Sequence, residues 1–327
     1  MDRIIRWGIL GTGKIAKAFA TALRDVPDVE LAAVASRSLD SATEFAREYG
    51  AKRAHGDYQA LADDDGVDVI YIATPHAMHH ENAIMCLKGG KALLVEKAFT
   101  LNRREAQEIV DLARERKLFV MEAMWTRFQP AMLEAKRMID MGEIGNVRNL
   151  QADFGFPADA GPEHRLFNPV LGGGSLLDLG IYPLSMAAFF LGPVRGARGY
   201  GELTPAGVDM QASFVLQHEG GALSACSCSL NSWTPTTLTI CGDKGFLRLH
   251  GRFHHTEHFT VGLNRGDERE FHFPRIGNGY AHEAMEVGRC LRAGLLESPA
   301  MPLDETVELM GVLDELRAQL GVRYSVD

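Results

Sequence analysis

The first 38 residues constrain this chain more than any other segment. Ile4-Ile5-Arg6-Trp7-Gly8-Ile9-Leu10 reads as a short buried strand, and it runs directly into Gly11-Thr12-Gly13-Lys14-Ile15-Ala16. That is the pattern G-x-G-x-x-A. The first glycine permits a tight strand-to-helix turn, the second lets a pyrophosphate approach the backbone, and the alanine lets helix and strand pack closely. Phosphates would then sit at a helix N-terminus, where unpaired N–H groups and the helix dipole favour negative charge. A second strand, 29–36, follows the helix, so the segment is the opening of a nucleotide-binding βαβ unit.

The end of that second strand bears on which dinucleotide. NAD sites place an acid about 20 residues beyond the fingerprint to bond the ribose 2′-hydroxyl. Here the strand ends Ala35-Ser36-Arg37-Ser38, with no acid. Arg37 can pair with a 2′-phosphate and stack on adenine, while Ser36 and Ser38 offer hydroxyl donors. NADP is favoured, and NAD remains admissible.

The alternation continues through helix 39–49, strand 67–73 ending at Thr74-Pro75, helix 80–88, strand 92–95, helix 103–116 and strand 119–121. Strands alternating with helices give a doubly wound parallel sheet with its ligand at the carboxyl ends of the strands. Candidate ligand contacts gather there: Gly11, Thr12, Gly13, Lys14, Ile15, Ser36, Arg37, Ser38, Thr74, Pro75, His76, His79, Glu96 and Lys97. At 327 residues, the chain exceeds what one core usually serves. The sequence places an α/β nucleotide-binding domain at 1–122 and a second, α+β domain at 123–303. The second is a largely antiparallel, open-faced sheet from strands near 147–156, 196–203, 208–218, 222–230, 236–241, 245–249, 259–261 and 270–273, with one helix at 176–190. A last helix, 304–320, is placed back on the first domain.

Composition excludes several function classes. A net charge of −9 disfavours nucleic acid or an anionic membrane, both of which need a basic surface. Glycines break the N-terminal apolar run and no small-residue cleavage site follows, so it is not read as a signal peptide. No stretch reads as a membrane span. Five cysteines, without framework spacing, suit a reducing cytoplasm. His254, His255 and His258 approach ligand spacing but lack a nearby Cys or carboxylate set, so they read as a solvated cluster and no metal is expected.

Two stretches carry chemistry. Leu93-Leu94-Val95-Glu96-Lys97 ends a buried strand on an acid and a base. Gly172-Gly173-Gly174-Ser175 leads into a helix with Asp178 and Tyr182 at i and i+4, on one face. A phenol titrates near 10, so Tyr182 can transfer protons at neutral pH only with a cation such as Lys97 to stabilise its phenolate.

Together, Gly11 to Ala16, Ala73-Thr74-Pro75 with His79, Glu96-Lys97, and the Gly-Gly-Gly-x-x-x-Asp-x-Gly of Gly172 to Gly180 resemble the Gfo/Idh/MocA oxidoreductases. Met121-Glu122-Ala123-Met124-Trp125-Thr126-Arg127-Phe128 and Asp178 to Tyr182 are similar to its dihydrodiol dehydrogenase branch, which oxidises cyclic diols and D-xylose with NADP. The resemblance implies that Lys97 and Tyr182 are catalytic and that Asp178 orients them. It places Trp125, Arg127 and Phe154, with Asp178 and Tyr182, around a sugar or diol substrate, and implies a homodimer or larger. The family's usual proline after the lysine is Ala98, so Lys97 lacks that restraint. Another sugar reductase of the family, or a non-catalytic NADP-binding sensor on the same fold, is the alternative.

Overall fold

The computed structural model describes residues 3–264 and 266–327. The chain forms two compact units, Met1–Trp125 with Ile276–Val307, and Thr126–Arg275 with Glu308–Asp327.

The first unit begins with β1 (Ile5–Leu10), α1 (Lys14–Ala22), β2 (Val29–Ala35), α2 (Leu39–Tyr49), β3 (Arg53–His55), α3 (Tyr58–Ala62), β4 (Val69–Ile72), α4 (His79–Lys88), β5 (Ala92–Glu96), α5 (Arg103–Arg116) and β6 (Val120–Ala123). The sheet runs β3-β2-β1-β4-β5-β6, every pair parallel. This doubly wound order reverses between β1 and β4, which opens a crevice at their carboxyl ends. β1, β4 and β5 are almost wholly buried, as strands covered by helices on both faces must be. The three-residue β3 has too short a run to show any period, and the sequence reading did not include it.

In the second unit come α6 (Pro130–Asp140), β7 (Val147–Gly155), α7 (Ile181–Leu191), β8 (Val194–Leu203), β9 (Asp209–His218), β10 (Leu223–Ser229), β11 (Leu238–Gly242), β12 (Gly245–Leu249), β13 (His258–Leu263) and β14 (Glu268–His272). They form one sheet, β14-β13-β12-β11-β7-β10-β9-β8, antiparallel except for β7 with β10. Burial alternates along β9, with Ala212, Phe214 and Leu216 inward and Ser213, Val215 and Gln217 outward, the period of a sheet with one covered face. α7 packs on that covered face.

The remaining helices are α8 (Ala281–Arg292) and α9 (Leu303–Leu320), and here the division differs from the one expected at 123–303. Residues 276–307 belong to the first unit. Asn278 Nδ2 donates to Ala18 O, Arg292 reaches Asp28 O, and Leu296 O accepts Val120 N–H. α9 is shared, and only its start lies in the first unit, where Thr306 Oγ1 donates to Glu122 Oε2. From 308 onward it lies along β8, with Leu316 and Leu320 packed over Gly199 and Gly201 and Gln319 bonded to the β8 backbone. The expectation that 304–320 covers the first domain therefore fails over most of the helix. By length and composition the helical run Pro169–Leu191 does pass as a membrane span, contrary to the reading above, but 89% of its apolar window is buried inside the protein. It is a core helix.

Candidate active site

In the first unit, the residues that could hold a dinucleotide stand at the strand ends. Gly11 has φ +105° and an added Cβ would meet Ala73 O at 3.0 Å, whereas nothing stands within 4 Å of a Cβ on Gly13. α1 starts with no side-chain cap and no acid in its first turn, so its N–H groups face outward unopposed. These features fit a pyrophosphate. Arg37 is exposed beyond β2, close enough to act on the Tyr58 hydroxyl, whose pKa burial raises and Arg37 lowers in part. Ser38 has a second task, since its Oγ caps α2 by accepting Ser41 N–H.

The ends of β4 and β5 are tied together by His79. It is fully buried, its Nε2 lies 2.8 Å from Thr74 O, and its Nδ1 lies 3.0 Å from Ala98 O. Burial pulls its pKa below the usual value, although these carbonyls act the other way. Both nitrogens face backbone carbonyls, to one of which the neutral ring can donate, so His79 ties the β4 and β5 ends together and is no free base. Asn82 Nδ2 donates to Thr74 Oγ1. The Lys97–Ala98 peptide is cis, and Ala98, fully buried and anchored by His79, occupies the place of the family's proline. Glu96 takes hydrogen bonds from the Tyr71 hydroxyl and from Lys97 N–H, which fixes the backbone at Lys97. Near Glu96 lies Glu283 of α8, 0% exposed. Burial, then the Glu96 charge, push its pKa well up. Trp125 is 6% exposed and stacks on Tyr280, centroids 4.1 Å apart. Tyr280 was not legible as a site residue, because its partner lies 155 positions earlier.

In the second unit the anchor is a π-helical turn, Leu176–Gly180, that feeds α7. Pro183 has no N–H to offer Leu179 O, which suits a widened turn there. Gly174, at φ +124°, lies so close to Asp209 that an added Cβ would collide with the carboxylate. Asp209, fully buried on β9, accepts Ser175 Oγ–H and Leu176 N–H, both at 2.6 Å, and so caps the helix start from across the sheet. Tyr324 Oη adds a bond to Gly173 O at 2.6 Å. Asp178 and Tyr182 are thus presented by a turn fixed at three points. They are 5% and 6% exposed.

Tyr182 sits in an aromatic wall. Phe154 of β7 is 5.3 Å away, and His254 lies 5.5 Å from Tyr182 and stacks on Phe154 at 4.4 Å and 15°. His254 is therefore no solvated surface residue. Its segment is held by Thr126 Oγ1, which donates to His254 O, so Thr126 braces the wall. Arg165 is a further addition that the sequence did not single out: its Nη1 donates to Asp178 Oδ1 at 3.0 Å. Arg127 departs from its expected place. It is 2% exposed, its guanidinium lies over Phe189 at 5.1 Å, and Nη2 reaches Ser185 O, so it braces α7 from within the core.

The arrangement comprises a phosphate-ready helix start and a strand-end lysine in one unit, and a phenol in an aromatic wall in the other. Comparison with known proteins agrees with it. Residues 5–124 match the family model described as "Oxidoreductase family, NAD-binding Rossmann fold", and residues 132–248 match "GFO/IDH/MocA C-terminal domain". The chain is 37% identical over 335 residues to trans-1,2-dihydrobenzene-1,2-diol dehydrogenase of Mus musculus, covering 99% of each. It is 35% identical to the enzyme of that name from Homo sapiens, again covering 99% of each. A 3-ketoreductase from Actinomadura kijaniata, solved with NADP and TDP-benzene, aligns over 98% of this chain and 99% of its own with a TM-score of 0.86 at 26% identity. The aldose-aldose oxidoreductase from Caulobacter crescentus shares the fold, with a TM-score of 0.89 at 21% identity over 97% of each chain. The chain belongs to the Gfo/Idh/MocA family and is an NAD(P)-dependent oxidoreductase.

Proposed function

We propose that the protein is an NADP-preferring dehydrogenase that oxidises a cyclic vicinal diol or an aldopyranose, working as a homodimer or larger homo-oligomer in the cytoplasm. The observation that carries this reading is the wall formed by Phe154, Tyr182 and His254, which offers flat apolar surface to a ring-shaped substrate and one phenol to its hydroxyl. The 37% identity to a diol dehydrogenase along the whole chain supports the substrate class. Arg37, with no acid at the end of β2, supports NADP.

When bound, the nicotinamide supplies the acceptor for the hydride of the carbinol carbon. Gly11 to Ile15 would hold its pyrophosphate and Ser36 and Arg37 its 2′-phosphate. Tyr182 takes the hydroxyl proton. Since a free phenol titrates near 10, the step at neutral pH needs a cation, and Lys97 fills that part while bonding the substrate oxygen. Asp178, held by Arg165, orients the phenol. Mixing purified protein with NADP and a panel of trans-dihydrodiols, D-xylose and other aldoses, while following the NADPH absorbance band, tests the reading. Turnover of a diol or aldose with NADP is expected. NADPH consumption with keto sugars alone would favour a reductase, and no turnover with any partner would favour a sensor.

The outward face of the eight-stranded sheet carries half-exposed Val215 and Leu223 among small polar residues, and an extended face of this kind is a surface for a second copy. Light scattering at micromolar concentration should give at least twice the chain mass. A strict monomer would remove this part of the proposal.

A further inference from the structure

The geometry points to a divalent-metal site of the zinc type on the β13–β14 hairpin, made by Glu257, His258 and His272. The ligand atoms of these three residues lie within 4.8 Å of one another. His258 and His272 are directly opposed in the antiparallel register, and their rings stack 4.3 Å apart at 12°. Glu257 is held ready for the third position. Its Oε1 accepts Arg275 N–H at 3.1 Å, and its backbone carbonyl accepts Phe273 N–H at 2.8 Å, while Oε2 points to His272 Nε2 at 3.7 Å. The backbone bond from Arg275 also keeps this carboxyl below its usual range, so it is an anion at neutral pH.

The donor set is chemically selective. Two imidazoles and one carboxylate suit zinc, nickel or cobalt better than calcium or magnesium, which prefer all-oxygen shells. Zinc binds imidazole at about 2.0–2.1 Å, which puts neighbouring ligands roughly 3.3 Å apart. Closing from the present spacing needs only turns of side chains that are 54% exposed at His272 and 29% at Glu257, and the paired backbones stay where they are. The Arg275 guanidinium, 3.6 Å from Oε1, lies on the carboxylate oxygen away from His272. Three protein ligands leave a coordination position open to water. Spacing along the chain groups His258 with His254 and His255, but His254 is committed to the aromatic wall and His258 finds its partners across the hairpin. The site is independent of the proposed catalysis. Its direct consequence is to clamp β14, which among the described residues pairs only with β13, onto the sheet.

Isothermal titration of the full-length protein with zinc chloride should show one tight equivalent, and cobalt chloride should give visible d–d absorption of a low-coordinate imidazole site. Loss of an outer-shell partner typically costs a metal site about 10- to 100-fold in affinity, so His258→Ala and His272→Ala should each lose at least that much. Glu257→Gln should weaken binding about tenfold by the same measure. The exposed His258 and His272 positions should leave the metal-free melting temperature unchanged on substitution, while zinc raises that of the unmodified protein and not that of the His258→Ala/His272→Ala double variant. No binding by the unmodified protein, or identical titrations for it and the His258→Ala/His272→Ala double variant, would overturn the proposal.

Discussion

The two units assemble their functional groups in opposite ways. In the first, Gly11, Arg37, Thr74 and Lys97 each end or follow a parallel strand, and the sheet brings them to one edge because every strand points the same way. In the second, Phe154, Tyr182 and His254 come from a strand, a helix and a connection 100 residues apart, and they meet only because α7 lies on the antiparallel sheet. Parallel topology gathers a site by rule, whereas an antiparallel sheet gathers one case by case. The first unit therefore has a nucleotide site set largely by backbone, and the second a wall set by side-chain packing.

This contrast gives substitutions of different kinds and sizes. The largest effect belongs to Lys97→Met, which leaves the fixed strand end in place but removes its charge. Loss of a group that supports proton transfer costs about 10²–10⁴-fold, and the rising limb of the oxidation-rate profile should move to higher pH, since nothing would then lower the phenol pKa. Steady-state kinetics across pH checks it, and an unmoved limb would detach Lys97 from Tyr182. Next is Arg37→Ala. A charge-assisted bond to phosphate is worth roughly 1.5–3 kcal/mol, so NADP affinity should fall about tenfold or more while that for NAD stays within twofold. Equal losses for both would mean that Arg37 acts on the fold and not on the 2′-phosphate.

The smallest effect concerns stability and sharpens the account of the β5 end. Glu283 is buried, without a hydrogen-bond partner at either oxygen, and holds its proton far above the usual carboxyl range because of burial and Glu96. An unfolded glutamate releases its proton near 4.3, so above that pH the unfolded chain binds fewer protons than the folded one and stability falls as pH rises. Glu283→Gln has no proton to hold. Its stability relative to the unmodified protein should therefore be more favourable at about pH 8 than at about pH 5. Melting curves at the two pH values test this, and a gap that does not widen would put Glu283 in its ionised form.

What was legible in the sequence follows the same contrast. The strands of the parallel sheet, the turn at Gly11 and the Asp178–Tyr182 helix are local patterns, and the strand runs of the second unit follow a period of two. Residues 276–307 returned to the first unit because their commitments are single long-range bonds, such as Asn278 to Ala18 O and Leu296 O to Val120, which leave no periodic trace. The packing of Tyr280 in the first unit, and of Arg165, His254 and Asp209 in the second, escapes the sequence for the same reason. Arg127 went the other way: a charged residue in an apparent substrate motif is packed inside the core against Ser185 O and the Phe189 ring, which no spacing reveals.

The central proposal is that the Tyr182 phenol takes the substrate's hydroxyl proton and has no part in holding the nucleotide. Tyr182→Phe tests it most directly when turnover and NADPH binding are measured on the same sample. The ring and its packing on Phe154 and His254 remain, and only the hydroxyl is lost. The account predicts NADPH affinity within twofold of the unmodified protein and kcat lower by at least about a hundredfold. A Phe variant that keeps more than about a tenth of kcat would make Tyr182 a packing residue and contradict the mechanism.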